Sequence, residues 1–174
     1  MDNMVLKALE ERRSVKKYSS RALEEDKLDA ILKAATFAPT GRNLQSPIMV
    51  VVRDAQTREM LRKMNAEILG NPDADPFYGA PVIVVVLADK NVNTYIEDGS
   101  LVMGNLMIAA HSLGVDSCWI HRARQEFESP EGKALLEKWG IEGDYAGIGH
   151  CILGYREGDA PAVRPRKGNY IYKV

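Results

Sequence analysis

Apolar residues along the first part of the chain recur at helical spacing. Met4, Val5, Ala8 and Leu9 share one face of a helix that Asp2 or Asn3 is placed to cap. That helix fades near Arg12. A second helix is predicted from about Glu24, acidic in its first turn, through Leu28, Ile31, Leu32 and Ala35, with Pro39 as its stop. The pattern then becomes a continuous apolar run, IMVVV (48–52), which reads as a short buried strand. From Asp54 to Leu69 it returns to an amphipathic, charged helix, and GNPDADPFYGAP (70–81) is a loop rich in proline and glycine.

A second strand is predicted at 82–88 and a long, mostly apolar helix from Asn93 to Leu113, closed by Gly114. Glycine inside a helix costs about 1 kcal/mol against alanine. Gly99 and Gly104 therefore predict a close approach by another helix or a ligand. VDSCWI (115–120) reads as a third strand that emerges into a loop carrying His121. Ser129-Pro130-Glu131 opens a helix that Gly140 closes, and AGIGHCILGY (146–155) holds a fourth strand. After Gly158 no period is visible, and the basic, tyrosine-ended tail is expected to fray unless it docks. The alternation of helices and strands implies one domain over 1–174, a three-layer α/β or α+β arrangement around one sheet.

Composition removes several functional classes. With a formal net charge of −1 and a pI near 6.3, the chain lacks the basic excess expected of a nucleic-acid binder. PVIVVVLA, from Pro81, is too short to span a bilayer, and Asp2 and Lys7 interrupt any apolar leader, so a cytoplasmic protein is expected. Cys118 and Cys151 sit in apolar runs and read as buried, reduced thiols.

Against that near-neutral background the charge is uneven. ERRSVKKY (11–18) packs four cations into six positions, and RPRK (164–167) repeats the concentration near the other end. One explanation is local, since cations at a helix C-terminus complement its dipole. The other is an anion site: arginine forks two donors onto a phosphate, and serine and backbone N–H groups complete the shell, which makes Arg12, Arg13, Ser14 and Lys16 candidates.

APTGRNLQSP (38–47) carries a small hydroxyl, a glycine, and the amides of Asn43 and Gln45, each able to donate and accept toward a heterocycle edge. The same residues also suit an ordinary turn. CWIHRA (118–123) places Trp119 and His121 at a strand end. No second His, Asp or Glu stands at ligand spacing from His121, so no metal site is expected. His111 and His150 read as core or boundary residues. The chain contains no G-x-S-x-G, Walker A, G-x-G-x-x-G or C-x-x-C motif.

Taken in order, RRSVKKY, APTGRNLQSP, APVIVVVLAD with the helix ending SLGVDSCWIH, and ILGYREGDAPAVRPRKGNY resemble the landmarks of the FMN-dependent nitroreductase family over nearly the whole chain. The resemblance implies an α+β fold, a three-layer α/β/α nitroreductase-like arrangement with a central, mostly antiparallel sheet. It also implies an intertwined homodimer with one FMN in each of two interface sites. Arg12, Ser14, Arg164 and Arg166 would meet at the FMN phosphate, with Lys16 near the ring. Pro39, Thr40, Gly41, Asn43 and Gln45 match the loop that the second subunit lays across the flavin, and Trp119, Ile120 and His121 match the strand end on the other side. The implied chemistry is ping-pong: NAD(P)H gives a hydride to the flavin, and a flat acceptor, a nitroaromatic or quinone, takes the electrons from the same face.

Lys16 and His121 are candidates to assist, but the flavin is the reactive group. The chain departs from the family pattern at 66–81, where Phe77 or Tyr78 is a candidate pocket residue, and at His121, where a small residue is common. Two alternatives stand beside this reading. One is a specialised flavin reaction on the same fold, reductive dehalogenation or dehydrogenation of a small aromatic. The other is a non-catalytic anion- or nucleotide-binding module.

Overall fold

The architecture follows from one strand. In the computed structural model, which describes residues 3–174, β2 (Val82–Asp89) is buried at every position through Ala88. A strand this apolar on both faces needs cover on both, and successive side chains point to opposite sides. Val82, Val84 and Val86 face a core built with Leu28, Ile31 and Leu106, whereas Ile83, Val85 and Leu87 face Leu61, Phe127 and Leu135. The first set is covered by α2 (Glu25–Ala35) and α4 (Tyr95–Ser112), the second by α3 (Ala55–Leu69), α5 (Ala123–Glu128) and α6 (Pro130–Lys138). Each such side chain removed from water contributes about 1.5–3 kcal/mol. Three layers result.

The sheet has the order β1-β2-β4-β3, with β1 (Pro47–Val52), β3 (Asp116–Ile120) and β4 (Tyr145–Gly154), and all its ladders are antiparallel. β1 is an edge strand. Only Val52 is fully buried and Val51 is 36% exposed, which corrects the expectation of a buried strand: an apolar run does not reveal how many neighbours a strand has.

The opposite edge is β3, and there the N-terminal cation segment takes a neighbour's place. Ser14 forms a parallel bridge with Ser117, and Val15 N–H donates to Ser117 O at 3.1 Å. Tyr18 then bridges Arg156, and Ser19 N–H donates to Tyr155 O at 2.8 Å. An exposed sheet edge is thereby closed.

Local signals account for most element ends. Asn3 Oδ1 accepts from Val5 and Leu6 N–H at the start of α1 (Met4–Glu11); Asp2, the other candidate cap, lies outside the described residues. Asp54 caps α3 through Thr57 N–H at 2.7 Å, and Ser129 caps α6 through Gly132 N–H at 3.0 Å. α2 ends at Ala35, before Pro39. The loop expected after β3 is largely the helix α5, so only His121 and Arg122 make the turn.

The two helical glycines part company. A Cβ on Gly99 would stand 2.5 Å from Ile148 Cγ1, so the close neighbour is a strand rather than a helix or ligand. Gly104 meets nothing within 4 Å in one chain. Ile148 reaches α4 because β4 carries a bulge there: Val86 pairs with Gly149 and Leu87 with Gly147, leaving Ile148 as the extra residue. Among the described residues no helix is long and apolar enough to cross a membrane.

Candidate functional site

The cation segment divides into two uses. Arg13 Nη1 donates to the Glu10 and Arg12 carbonyls, both at 2.7 Å, and so completes the end of α1. Arg12 is half-buried, and its Nη1 is shielded from solvent without a polar partner among the described residues. Ser14, Lys16 and Arg12 surround the Cys118 thiol: burial pushes it up, while the Ser14 hydroxyl and the two cations pull the other way. Lys16 Nζ stands 5.8 Å from the centre of the Tyr78 ring. Phe77 is a core residue, edge-on to His150 at 5.2 Å, so of the two aromatic candidates in the 70–81 loop only Tyr78 borders the cations.

Beyond β3, the segment ends differently for its three candidates. Ile120 turns its side chain into the core. Trp119 lies against Gly149, where a Cβ would stand 2.5 Å from Trp119 Nε1. His121 is exposed. Trp119 and His121 line a cleft of about 250 Å³ with Tyr95, Ser100 and Ile148, next to the bulge.

The 38–47 segment is held in an unusual shape. Arg42, Asn43 and Gln45 all adopt positive φ (53°, 56° and 52°), a conformation that L-residues populate rarely. The anchor is Asp98, 2% exposed in the first turn of α4. It accepts from Gly41 N–H at 2.9 Å, from Thr94 Oγ1 at 3.1 Å, and stands 3.4 Å from Ser46 Oγ. Thr40 Oγ1 accepts from Gln45 N–H at 3.1 Å, and Gln45 Nε2 contacts Asn43 Oδ1 at 3.3 Å. Gly41 is required: a Cβ there would stand 2.2 Å from Thr94 Oγ1. Pro39, Asn43 and Gln45 remain exposed. Sequence reasoning missed Asp98, whose place in the first turn reads as ordinary helix chemistry; the signal was an acid followed by a glycine in an otherwise apolar helix.

One chain does not bring these groups all together. The loop feeds β1 and the cations flank β3, opposite edges of the sheet. The second cation cluster is different again. Arg164 and Arg166 are exposed, and among the described residues no hydrogen bond or ion pair ties them to the body. Yet the tail departs beside the first cluster, because Glu157 N–H donates to Lys17 O at 3.1 Å and Glu157 pairs with Lys17 Nζ at 3.4 Å. Arg164 lies seven positions beyond Glu157, a reach of roughly 24 Å when extended.

The domain is thus an α+β sandwich with cations along one sheet edge and a cleft at the adjoining strand end. Residues 9–155 match the Nitroreductase family, and the chain belongs to that family, whose members are oxidoreductases. A protein of Archaeoglobus fulgidus, provisionally named NADH dehydrogenase/NAD(P)H nitroreductase, is 34% identical over 160 residues, which cover 86% of this chain and 84% of that protein. A Bacteroides fragilis nitroreductase solved with bound FMN has a TM-score of 0.91 at 27% identity, over 99% of this chain and 100% of that one. Iodotyrosine deiodinase, solved with FMN and 3-iodo-L-tyrosine, shares the fold at a TM-score of 0.77 and 17% identity, over 98% of this chain and 99% of that one.

Proposed function

We propose that this nitroreductase-family oxidoreductase binds FMN, takes a hydride from NAD(P)H and passes the electrons to a flat acceptor such as a nitroaromatic or quinone. When bound, FMN supplies a ring that stores two electrons and releases them to a second substrate. The observation that carries the reading is the buried Nη1 of Arg12. A shielded guanidinium donor without an acceptor is costly, and a phosphate oxygen completes it. The residues present therefore fit the phosphate end of the cofactor.

Arg12 and Ser14 hold the phosphate in this reading, joined by Arg164 and Arg166 as the tail folds back from Glu157. Arg13 serves the helix end. Lys16 is the cation beside the ring, where positive charge favours the anionic reduced form. Trp119, Ile120 and His121 border the ring at the end of β3, Trp119 through its packed indole and Ile120 through its backbone. Pro39, Thr40, Gly41, Asn43 and Gln45 reach the site of a second copy, which resolves their place at the far sheet edge. Apolar residues left exposed in one chain support that pairing: Met4, Val5, Leu6 and Leu9 on α1, Leu101 on α4, and Tyr170, Ile171 and Tyr172 on the tail.

The 70–81 loop favours varied, flat acceptors over a substrate enclosed under a lid. Arg58 Nη1 donates to Ala80 O at 3.1 Å and Arg62 Nη1 to Ala74 O at 2.6 Å, so the loop is fastened to α3. The likeness to iodotyrosine deiodinase is one of fold alone and does not move the reading toward dehalogenation.

The test is the visible spectrum of the purified protein before and after anaerobic NADH or NADPH. Flavin bands that bleach with nucleotide and return with a quinone are expected. Colourless protein that takes up no added FMN sinks the reading and leaves the anion-binding module in its place.

A further inference from the structure

Behind the end of β3 lies a polar cluster that the proposed chemistry does not use. Asn65 of α3, Glu126 of α5 and His150 of β4 are each 0% exposed. Asn65 Nδ2 donates to His121 O at 2.9 Å and also to Glu126 Oε1. Its Oδ1 accepts from Arg122 Nε at 2.9 Å. Glu126 Oε2 stands 3.1 Å from His150 Nε2, within ion-pair distance though poorly angled for a hydrogen bond. One asparagine thus ties together α3, α5 and both residues of the turn after β3.

Such a cluster is a poor way to fill space. A carboxylate withdrawn from water is costly unless paired, and apolar side chains of similar volume serve a core at least as well. What the cluster does fix is a conformation. Arg122 sits at φ 81°, where a residue with a Cβ is strained, and the strain persists only because its neighbours hold it. In a planar trans peptide the carbonyl and the amide point in opposite directions. With His121 O turned inward to Asn65, the Arg122 N–H points away from the buried cluster, and among the described residues no protein acceptor takes it.

We infer that Asn65, Glu126 and His150 are positioning residues that hold the His121–Arg122 peptide carbonyl-inward and amide-outward, presenting a preset hydrogen-bond donor to the flavin at the end of β3. The inference rests on the FMN reading for the identity of the acceptor and on the hydrogen-bond geometry for the orientation. Asn65 is the keystone, because among the described residues it supplies the only side-chain donor on His121 O and the acceptor for Arg122. Glu126 orients Asn65 by taking its second N–H, and His150 holds Glu126 from the other side.

The test uses Asn65→Leu, with Glu126→Gln as the conservative partner that keeps an acceptor for Asn65. In the apoprotein, amide hydrogen exchange of the peptides spanning 119–124 is expected to speed up in Asn65→Leu and to stay near wild type in Glu126→Gln. With FMN added, Asn65→Leu should bind about tenfold more weakly, the worth of one hydrogen bond. The midpoint potential of its bound flavin should shift, while Glu126→Gln should retain both values.

Unchanged exchange in a folded Asn65→Leu protein overturns the positioning role. Faster exchange with unchanged affinity and potential overturns the link to the flavin. Should Asn65→Leu fail to fold, Arg122→Met removes the same anchor from a half-buried position and is read in the same way. Wild-type protein that takes up no FMN sinks the proposed function and with it the flavin link, and apoprotein exchange then decides the orientation on its own.

Discussion

The two cation clusters look alike in sequence and are opposites in structure. Arg12, Arg13, Ser14 and Lys16 lie along β3, shaped by a parallel bridge and by the end of α1. Arg164 and Arg166 hang in an exposed segment without regular structure. The difference shows what local order does to a binding group. A docked arginine meets its ligand already placed, whereas a tail must lose chain entropy first and returns only the surplus.

Arg12→Ala should therefore have the largest effect. Loss of a charge-assisted bond of about 1.5–3 kcal/mol weakens FMN binding roughly 10- to 150-fold, read by fluorescence titration of the apoprotein. The apoprotein melting temperature should hold, since Arg12 Nη1 has no partner to lose among the described residues. Arg166→Ala should weaken binding by about tenfold or less, because ordering the tail offsets part of its bond. Tryptic cleavage at 164–167 should slow when FMN is added. Equal losses from the two substitutions would erase the contrast and mean that the tail is docked before the ligand arrives.

The open face of α4 gives a sharper test of what covers the undocked surfaces. Gly104→Ala gains about 1 kcal/mol of helix propensity if that face meets water. A second copy packed there turns the gain into a loss, and a lower melting temperature is the expected result. A rise would show the face to be free.

The smallest effect concerns a tie on Tyr155, just before the tail departs. The Glu24 carboxyl is held down to about 2, first by the Tyr155 hydroxyl and then by Arg21. A depressed carboxyl stabilises the fold fully above its ordinary value of 4.5 and loses that contribution as pH falls toward about 2. Glu24→Gln should thus melt below wild type at neutral pH, with the gap closing through that window. A gap that persists in acid would assign the effect to packing instead.

Much of the fold was legible because its signals are local. The Asn3 cap, Ser129-Pro130, and the closing glycines at 114 and 140 act within a turn of themselves. What failed depends on distant neighbours. β1 reads as buried until the sheet order makes it an edge, and Gly99 and Gly104 look identical until Ile148 is found over only one of them. α5 was missed since it is six residues long, follows a left-handed Arg122 and has no capping side chain. Within the site, exposed candidates such as His121 and Asn43 could be named from motifs. Their supports, Asp98, Asn65 and Glu126, could not, because a polar residue on a helix reads as solvent-facing unless its depth is known.

The extra residue at Ile148 limits how this chain can change in length. Losing Ile148 would restore a regular ladder between β2 and β4, with Tyr145 to Gly147 still opposite Asp89 to Leu87, yet it would remove the side chain that the bulge sends against α4. Gly147, where a Cβ would stand 2.2 Å from Ala123 O, would keep its reason to be glycine, whereas Gly99 would lose the side chain that fills the space beside it. Substitution can tune the cleft one residue at a time, but a frame-preserving deletion in 147–149 rearranges the wall of the cleft and its helical backing in a single step.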